Sequence, residues 1–131
     1  MAQPYTILVL SDSHGNVDNM RRAVEQFQPH HILHLGDYRR DAGHLSEDYP
    51  DIPMTTVAGN CDFGGLDAPE QLIELRGIRI LMMHGHTHQP LVDYDGSMYT
   101  MNPGAAGDHF RPTCGVITIE NGKVTCAVHL L

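Results

Sequence analysis

"YTILVLSDSHGN", residues 5–16, is the stretch on which the fold turns. Its first half is a short, continuous apolar run rich in branched side chains, which predicts a strand buried on both faces. Its second half, Ser11 to Asn16, is turn and capping chemistry. The next stretch, "NVDNMRRAVEQFQ" (16–28), sets Val17, Met20, Val24 and Phe27 at helical spacing. Asn16 suits the cap of that helix and Pro29 its stop. A second short strand follows in "HHILHLGDY" (30–38), ending at Gly36-Asp37. A short polar helix is expected near 41–48, and "PMTTVAGNCD" (53–62) reads as a third strand ending at Gly59-Asn60. Strand–helix–strand–helix–strand predicts right-handed crossovers and a parallel sheet.

The second half of the chain changes style. "QLIELRGIRILMMHG" (71–85) predicts two strands around Arg76-Gly77, and "VDYDGSMYTMNPG" (92–104) another pair around Asp95-Gly96. "GVITIENGKVTCAVHLL" (115–131) is a hairpin whose Asn121-Gly122 suits a type I′ turn. No linker, repeat or low-complexity tract interrupts residues 1–131, so the expectation is one α/β domain, parallel and helical early, antiparallel late.

Composition narrows the partners. Sixteen acidic against eight basic residues give a formal net charge of -8. That argues against a general nucleic-acid binder and against docking on anionic membrane. It does not argue against a small anionic substrate, because a bound metal can reverse the local field. Cys61, Cys114 and Cys126 are an odd set without paired spacing, and the opening segment lacks a basic n-region. Both features predict reduced thiols in a cytoplasmic protein.

The residues that end each early strand carry the chemistry. They are Asp12-Ser13-His14, then Gly36-Asp37, then Gly59-Asn60, then His84, His86 and His88 within "LMMHGHTHQP" (81–90). Each alone is ordinary: a loop, a turn residue, a half-exposed imidazole. In an open parallel sheet, however, ligands bind beyond the carboxyl ends of the strands, so four such groups would converge on one edge. Carboxylate, amide carbonyl and imidazole without thiolate suit manganese, iron, zinc, cobalt or nickel. The set is too large for one open site and enough for two metals bridged by a carboxylate. Such a pair, ~3.5–4 Å apart, clamps phosphate and lowers the pKa of bound water to ~7.

"SDSHGN", "HLGD", "GNCD", "GHTHQP" and "NPGA", in that order, resemble the calcineurin-like metallophosphoesterases, most of all the small bacterial YfcE-like phosphodiesterases. The resemblance spans nearly the whole chain. It implies two mixed β-sheets packed as a sandwich and flanked by helices, and two divalent metal ions, manganese first among the candidates. It also implies ligands by position: Asp12, His14, Asp37 and His88 for one metal, and Asp37, Asn60, His86 and a further histidine, His84, for the other. Asp37 would bridge, and Asp62 would orient the site beside Asn60. The implied reaction is hydrolysis of a small phosphate ester by a metal-activated hydroxide.

Two departures from the family pattern stand out. Many relatives carry histidine where this chain has Cys61, which removes the obvious general acid. Arg39 and Arg40 lie where they could reach phosphate, although charged residues after a strand are usually just solvated. The second departure is a shared block. In relatives the "HGH" and "GHTH" segments lie on separate strands joined by a helical crossover, and here they share Gly85-His86. A parallel crossover needs a dozen residues or more, so one strand and one helix of the family fold are expected to be missing. Either His84 and His86, spaced i and i+2, chelate one metal together, or "GHTH" keeps its place and His84 points elsewhere.

The missing strand would leave an edge or apolar face for a second copy of the chain to cover, which predicts a homodimer or an exchange of strands. The alternative function is a non-catalytic protein-binding module on the same fold, as in a retromer subunit. A weaker third reading is a histidine-rich metal binder without hydrolysis.

Overall fold

The computed structural model describes residues 4–13, 15–36, 39–57, 70–83, 91–94, 99–107 and 111–131. The apolar run of the opening stretch is β1 (Tyr5–Leu10). It pairs in parallel with β2 (His31–His34), which pairs in parallel with β3 (Met54–Thr56). On its other side β1 pairs antiparallel with β8 (Thr113–Glu120), and β8 with β9 (Lys123–Leu130). The result is one five-stranded mixed sheet in the order β3-β2-β1-β8-β9, with β1 at its centre.

Because side chains alternate along a strand, β1 feeds two cores. Leu8 and Leu10 face a cluster with Met20, Ala23, Val24 and Leu45. Ile7 and Val9 face the opposite cluster with Leu33, Val57, Met82 and Ile117. Each such aliphatic side chain is worth roughly 1.5–3 kcal/mol when fully buried.

Two helices close the first face. Helix α1 (Val17–Phe27) starts at Asn16, whose side chain accepts the Asn19 amide, and ends at Gln28 in a left-handed conformation. Met20 and Val24 are buried and Val17 and Phe27 are partly so, the stripe read from the spacing. Helix α2 (Arg39–Asp48) begins two positions earlier than expected and anchors through buried Ala42 and Leu45.

Hairpins cover the second face. Strands β4 (Glu70–Leu75) and β5 (Ile78–Met83) pair antiparallel around Arg76-Gly77, as expected. They turn Ile73, Leu75, Ile78 and Ile80 toward the sheet. Strands β6 (Leu91–Tyr94) and β7 (Tyr99–Asn102) form the other pair, with the expected turn at Asp95-Gly96 outside the described residues. Met101 of β7 reaches the sheet over Gly115. A Cβ at Gly115 would lie 2.8 Å from the Met101 methyl and 3.3 Å from Pro103 Cβ, so glycine permits the close approach. The structure is thus a mixed α/β sandwich with helices on one side and hairpins on the other. Only residues 84–90 separate β5 from β6, too few for a parallel crossover.

The tight turns follow their residues. Asn121 and Gly122 join β8 to β9 with φ of 52° and 78°, as a type I′ turn requires. Arg76 takes φ 52° before Gly77, a position that costs arginine more than asparagine. Its guanidinium lies 4.7 Å from the Tyr5 ring centroid, a cation–π contact that offsets part of that cost.

Candidate functional site

The ends of β1, β2 and β3 lie side by side. Leu35 N–H donates to the Leu10 carbonyl (2.8 Å) and Val57 N–H to the His34 carbonyl (3.1 Å). Just past β1, Asp12 turns the chain through a left-handed φ of 51°, which aspartate tolerates better than most residues. Its amide donates to the Gly36 carbonyl (3.1 Å), and its own carbonyl accepts the Gly107 amide (3.1 Å). Asp12 is 2% exposed, and its Oδ2 accepts the Ser11 hydroxyl at 2.7 Å. A buried carboxylate, pinned by backbone at a sheet edge, has the chemistry of a cation ligand.

Of the residues expected to hold metal, the structure places Asp12. His14, Asp37, Asn60, His84, His86 and His88 lie outside the described residues, as do Asp62 and Cys61. Among the described residues no group of three or more His, Cys, Asp or Glu side chains forms a metal cluster. What the structure does fix is their chain neighbours: Ser13 and Gly15 on either side of His14, and Gly36 immediately before Asp37. Arg40 is exposed in the first turn of α2.

A buried polar network joins these neighbours, and sequence reading did not find it. Ser13 donates its hydroxyl hydrogen to Asp41 Oδ2 at 2.7 Å, and the Gly15 amide donates to the same oxygen at 2.7 Å. Ser13 Oγ also lies 3.3 Å from His34 Nε2, while the Gly36 amide donates to His34 Nδ1 at 3.3 Å. Since an N–H can only donate, Nδ1 must accept, and the ring hydrogen sits on Nε2 facing Ser13. Ser13, His34 and Asp41 are all buried. Hydrogen bonds to an ionised acceptor in such a place are worth about 1.5–3 kcal/mol each. His34 carried a signal, a polar residue inside an apolar strand. Asp41 carried none, because an acidic residue in a first helical turn is ordinary.

The loop after β7, part of the "NPGA" motif, braces the same edge. Ala106 N–H donates to the Ser11 carbonyl (2.9 Å), and Asn19 of α1 donates from Nδ2 to the Ala106 carbonyl (2.9 Å). Gly104 takes φ 76°, with its amide bonded to Asn102 Oδ1 at 2.9 Å. Beside Gly15 an open groove of about 460 Å³ runs past Asn16 and Arg21 to His44. Arg21 is engaged by Asp18 and Asp48 at 2.6 and 2.7 Å.

The described thiols take no part. Cys114 and Cys126 are free and lie on opposite faces of the central sheet. Burial pushes the Cys114 thiol up to about 12 and raises Cys126 as well, so both stay protonated at neutral pH.

The chain belongs to the calcineurin-like phosphoesterase superfamily, whose domain model matches residues 5–85, well over half of it. The match ends at Gly85, inside the His84–His88 run. Over 84 residues, 63% of this chain, it is 31% identical to the Bacillus subtilis (strain 168) protein named "Probable metallophosphoesterase YsnB". Those residues are 47% of that protein, and the chain spans about half the length of the curated relatives it matches. Solved structures share the fold. A Streptococcus pneumoniae TIGR4 protein described as a predicted phosphoesterase superposes with TM-score 0.77 at 20% identity, covering 99% of this chain and 91% of that one. A structure titled as a novel archaeal phosphodiesterase gives 0.72 at 17% identity, over 96% and 99%. Vacuolar protein sorting 29 from Cryptosporidium parvum gives 0.75 at 14% identity, over 99% of each chain. Among the described residues, no helix is long and apolar enough to cross a membrane.

Proposed function

We propose that the chain is a metal-dependent phosphoesterase of the diesterase type, acting on small phosphate esters at a dinuclear site. The observation that carries this reading is the joining of the β1 and β2 ends. Buried Asp12 hydrogen-bonds through its amide to Gly36, the residue before Asp37, in a chain whose family is shown over that segment. Asp12, His14, Asp37 and His88 would hold one divalent ion, and Asp37, Asn60, His86 and His84 the other. Metals held there would supply acidified water and positive charge for the ester. The chain's part is to hold those ligands, with Asp62 orienting the site beside Asn60.

Metal stoichiometry tests this first. After saturation with manganese and removal of free ion, elemental analysis is expected to find two ions per chain. One or none would mean that the shared His84–His88 run leaves the dinuclear centre incomplete. The variant Asp37→Ala is expected to reduce hydrolysis of a synthetic phosphodiester to background. The likeness to a vacuolar sorting protein favours a second reading, a protein-binding module on the same fold. Asp37→Ala separates the two, because partner binding in a module would survive it.

A further inference from the structure

We infer that Asp41 is a positioning residue for the loop carrying Asp12 and His14, an inference that rests on the metal-dependent reading above. One buried oxygen, Oδ2, takes two 2.7 Å hydrogen bonds, from the Ser13 hydroxyl and the Gly15 amide. These donors flank His14 on both sides, so the carboxylate clamps the segment between them. The clamp is stiff because Asp41 sits in the first turn of α2, next to Ala42 and one turn before Leu45, both locked into the core.

The same network reaches the second loop. Ser13 passes to His34, and His34 Nδ1 accepts the Gly36 amide, one residue before Asp37. A single carboxylate therefore joins the loops after β1 and β2, which carry three of the proposed ligands. Among the described residues its bonds go to Ser13 and Gly15 and not to the Asp12 side chain, so the effect inferred here runs through backbone placement. Partners bonded directly to ligands typically cost ~10–100-fold in metal affinity when removed, which sets the scale for a residue that fixes the ligand loop.

The test is calorimetric titration of metal-free protein with manganese chloride, alongside the thermal midpoint of each metal-free form. Asp41→Ala is expected to weaken manganese binding ~10–100-fold. Asp41→Asn, which keeps a carbonyl oxygen acceptor in place, should recover most of that loss. Ser13→Ala deletes one of the two bonds and should weaken binding severalfold; it carries the test if Asp41→Ala does not fold. Manganese affinity within twofold of wild type in Asp41→Ala or in a folded Ser13→Ala overturns the inference, and so does an equal loss in the alanine and asparagine variants. Wild-type protein that takes up no manganese sinks the metal reading itself, a result separate from any difference between variants.

Discussion

The central sheet is buried on both faces, but the layers that cover those faces are closed to different depths. On the helix side Leu8, Leu10, Met20, Ile32 and Leu45 are fully buried. On the hairpin side Ile73, Leu75, Ile78 and Ile80 are only partly covered, and the outward-facing partners Leu72 and Leu81 are 63% and 58% exposed. A helix brings a broad apolar stripe and its own satisfied backbone. A two-stranded ribbon is one layer thick, so half of its side chains face water whatever they are. The lesson concerns the site. Ser13, His34 and Asp41 belong to the sealed side, which leaves the edge that would hold metal resting on the better-packed half.

The largest test of this contrast is a matched truncation. Leu10→Ala removes a fully buried side chain one residue before Ser11-Asp12 and should cost about 2–5 kcal/mol in urea unfolding. Ile73→Ala, on the thinner face, should cost less than half of that. Equal losses would mean that the hairpins are as firmly packed as the helices. Next comes the junction between β7 and β8. Gly115→Ala places a methyl against Met101 and Pro103. Overpacking costs ~1–3 kcal/mol, and the low end is expected because the Met101 terminus can move. A loss equal to that of Leu10→Ala would show a rigid seam there.

How far these features were legible depends on how local they are. β1 was readable from its unbroken apolar run, α1 from four apolar positions and its caps, and the β8–β9 hairpin from Asn121-Gly122. All of these are set within about a dozen residues. The pairing of β1 with β8, which places the last hairpin in the same sheet as the parallel strands, could not be read from local pattern. It depends on which surfaces remain once the helices have packed. The site divides the same way. Asp12 was legible as a ligand type at a strand end, and Gly36 as a turn beside it. The Asp41 clamp was not, since only the packing of α2 brings that carboxylate under Ser13 and Gly15.

A smaller effect comes from protonation of one residue on the hairpin face. His31 is buried there beside Leu33, with Nε2 2.9 Å from Thr55 Oγ1. Burial disfavours the charged ring and holds its pKa below the ordinary 6.5. The unfolded chain therefore takes up a proton before the native protein does. Its stabilising contribution is complete above pH 6.5 and declines as the pH falls from there toward the lower native value. His31→Gln, which can keep the bond to Thr55, should flatten this part of the stability profile between pH 7 and pH 5. Parallel profiles for variant and wild type would contradict the assignment.

The smallest change is expected on the outer side of the ribbon. Leu72 faces away from the core opposite Leu81, so Leu72→Ser removes little buried area. In the isolated chain it should shift stability by no more than about 0.5 kcal/mol. We propose that a second copy of the chain covers this side in solution, where the paired Leu72 and Leu81 leave adjoining apolar surface open. On that proposal Leu72→Ser leaves dilute monomer unchanged but lowers the dimer fraction measured by light scattering at higher concentration. Wild-type protein that stays monomeric across the same range would remove the second copy. The outer face would then be bare, and the contrast between the two sides of the sheet would hold without a partner.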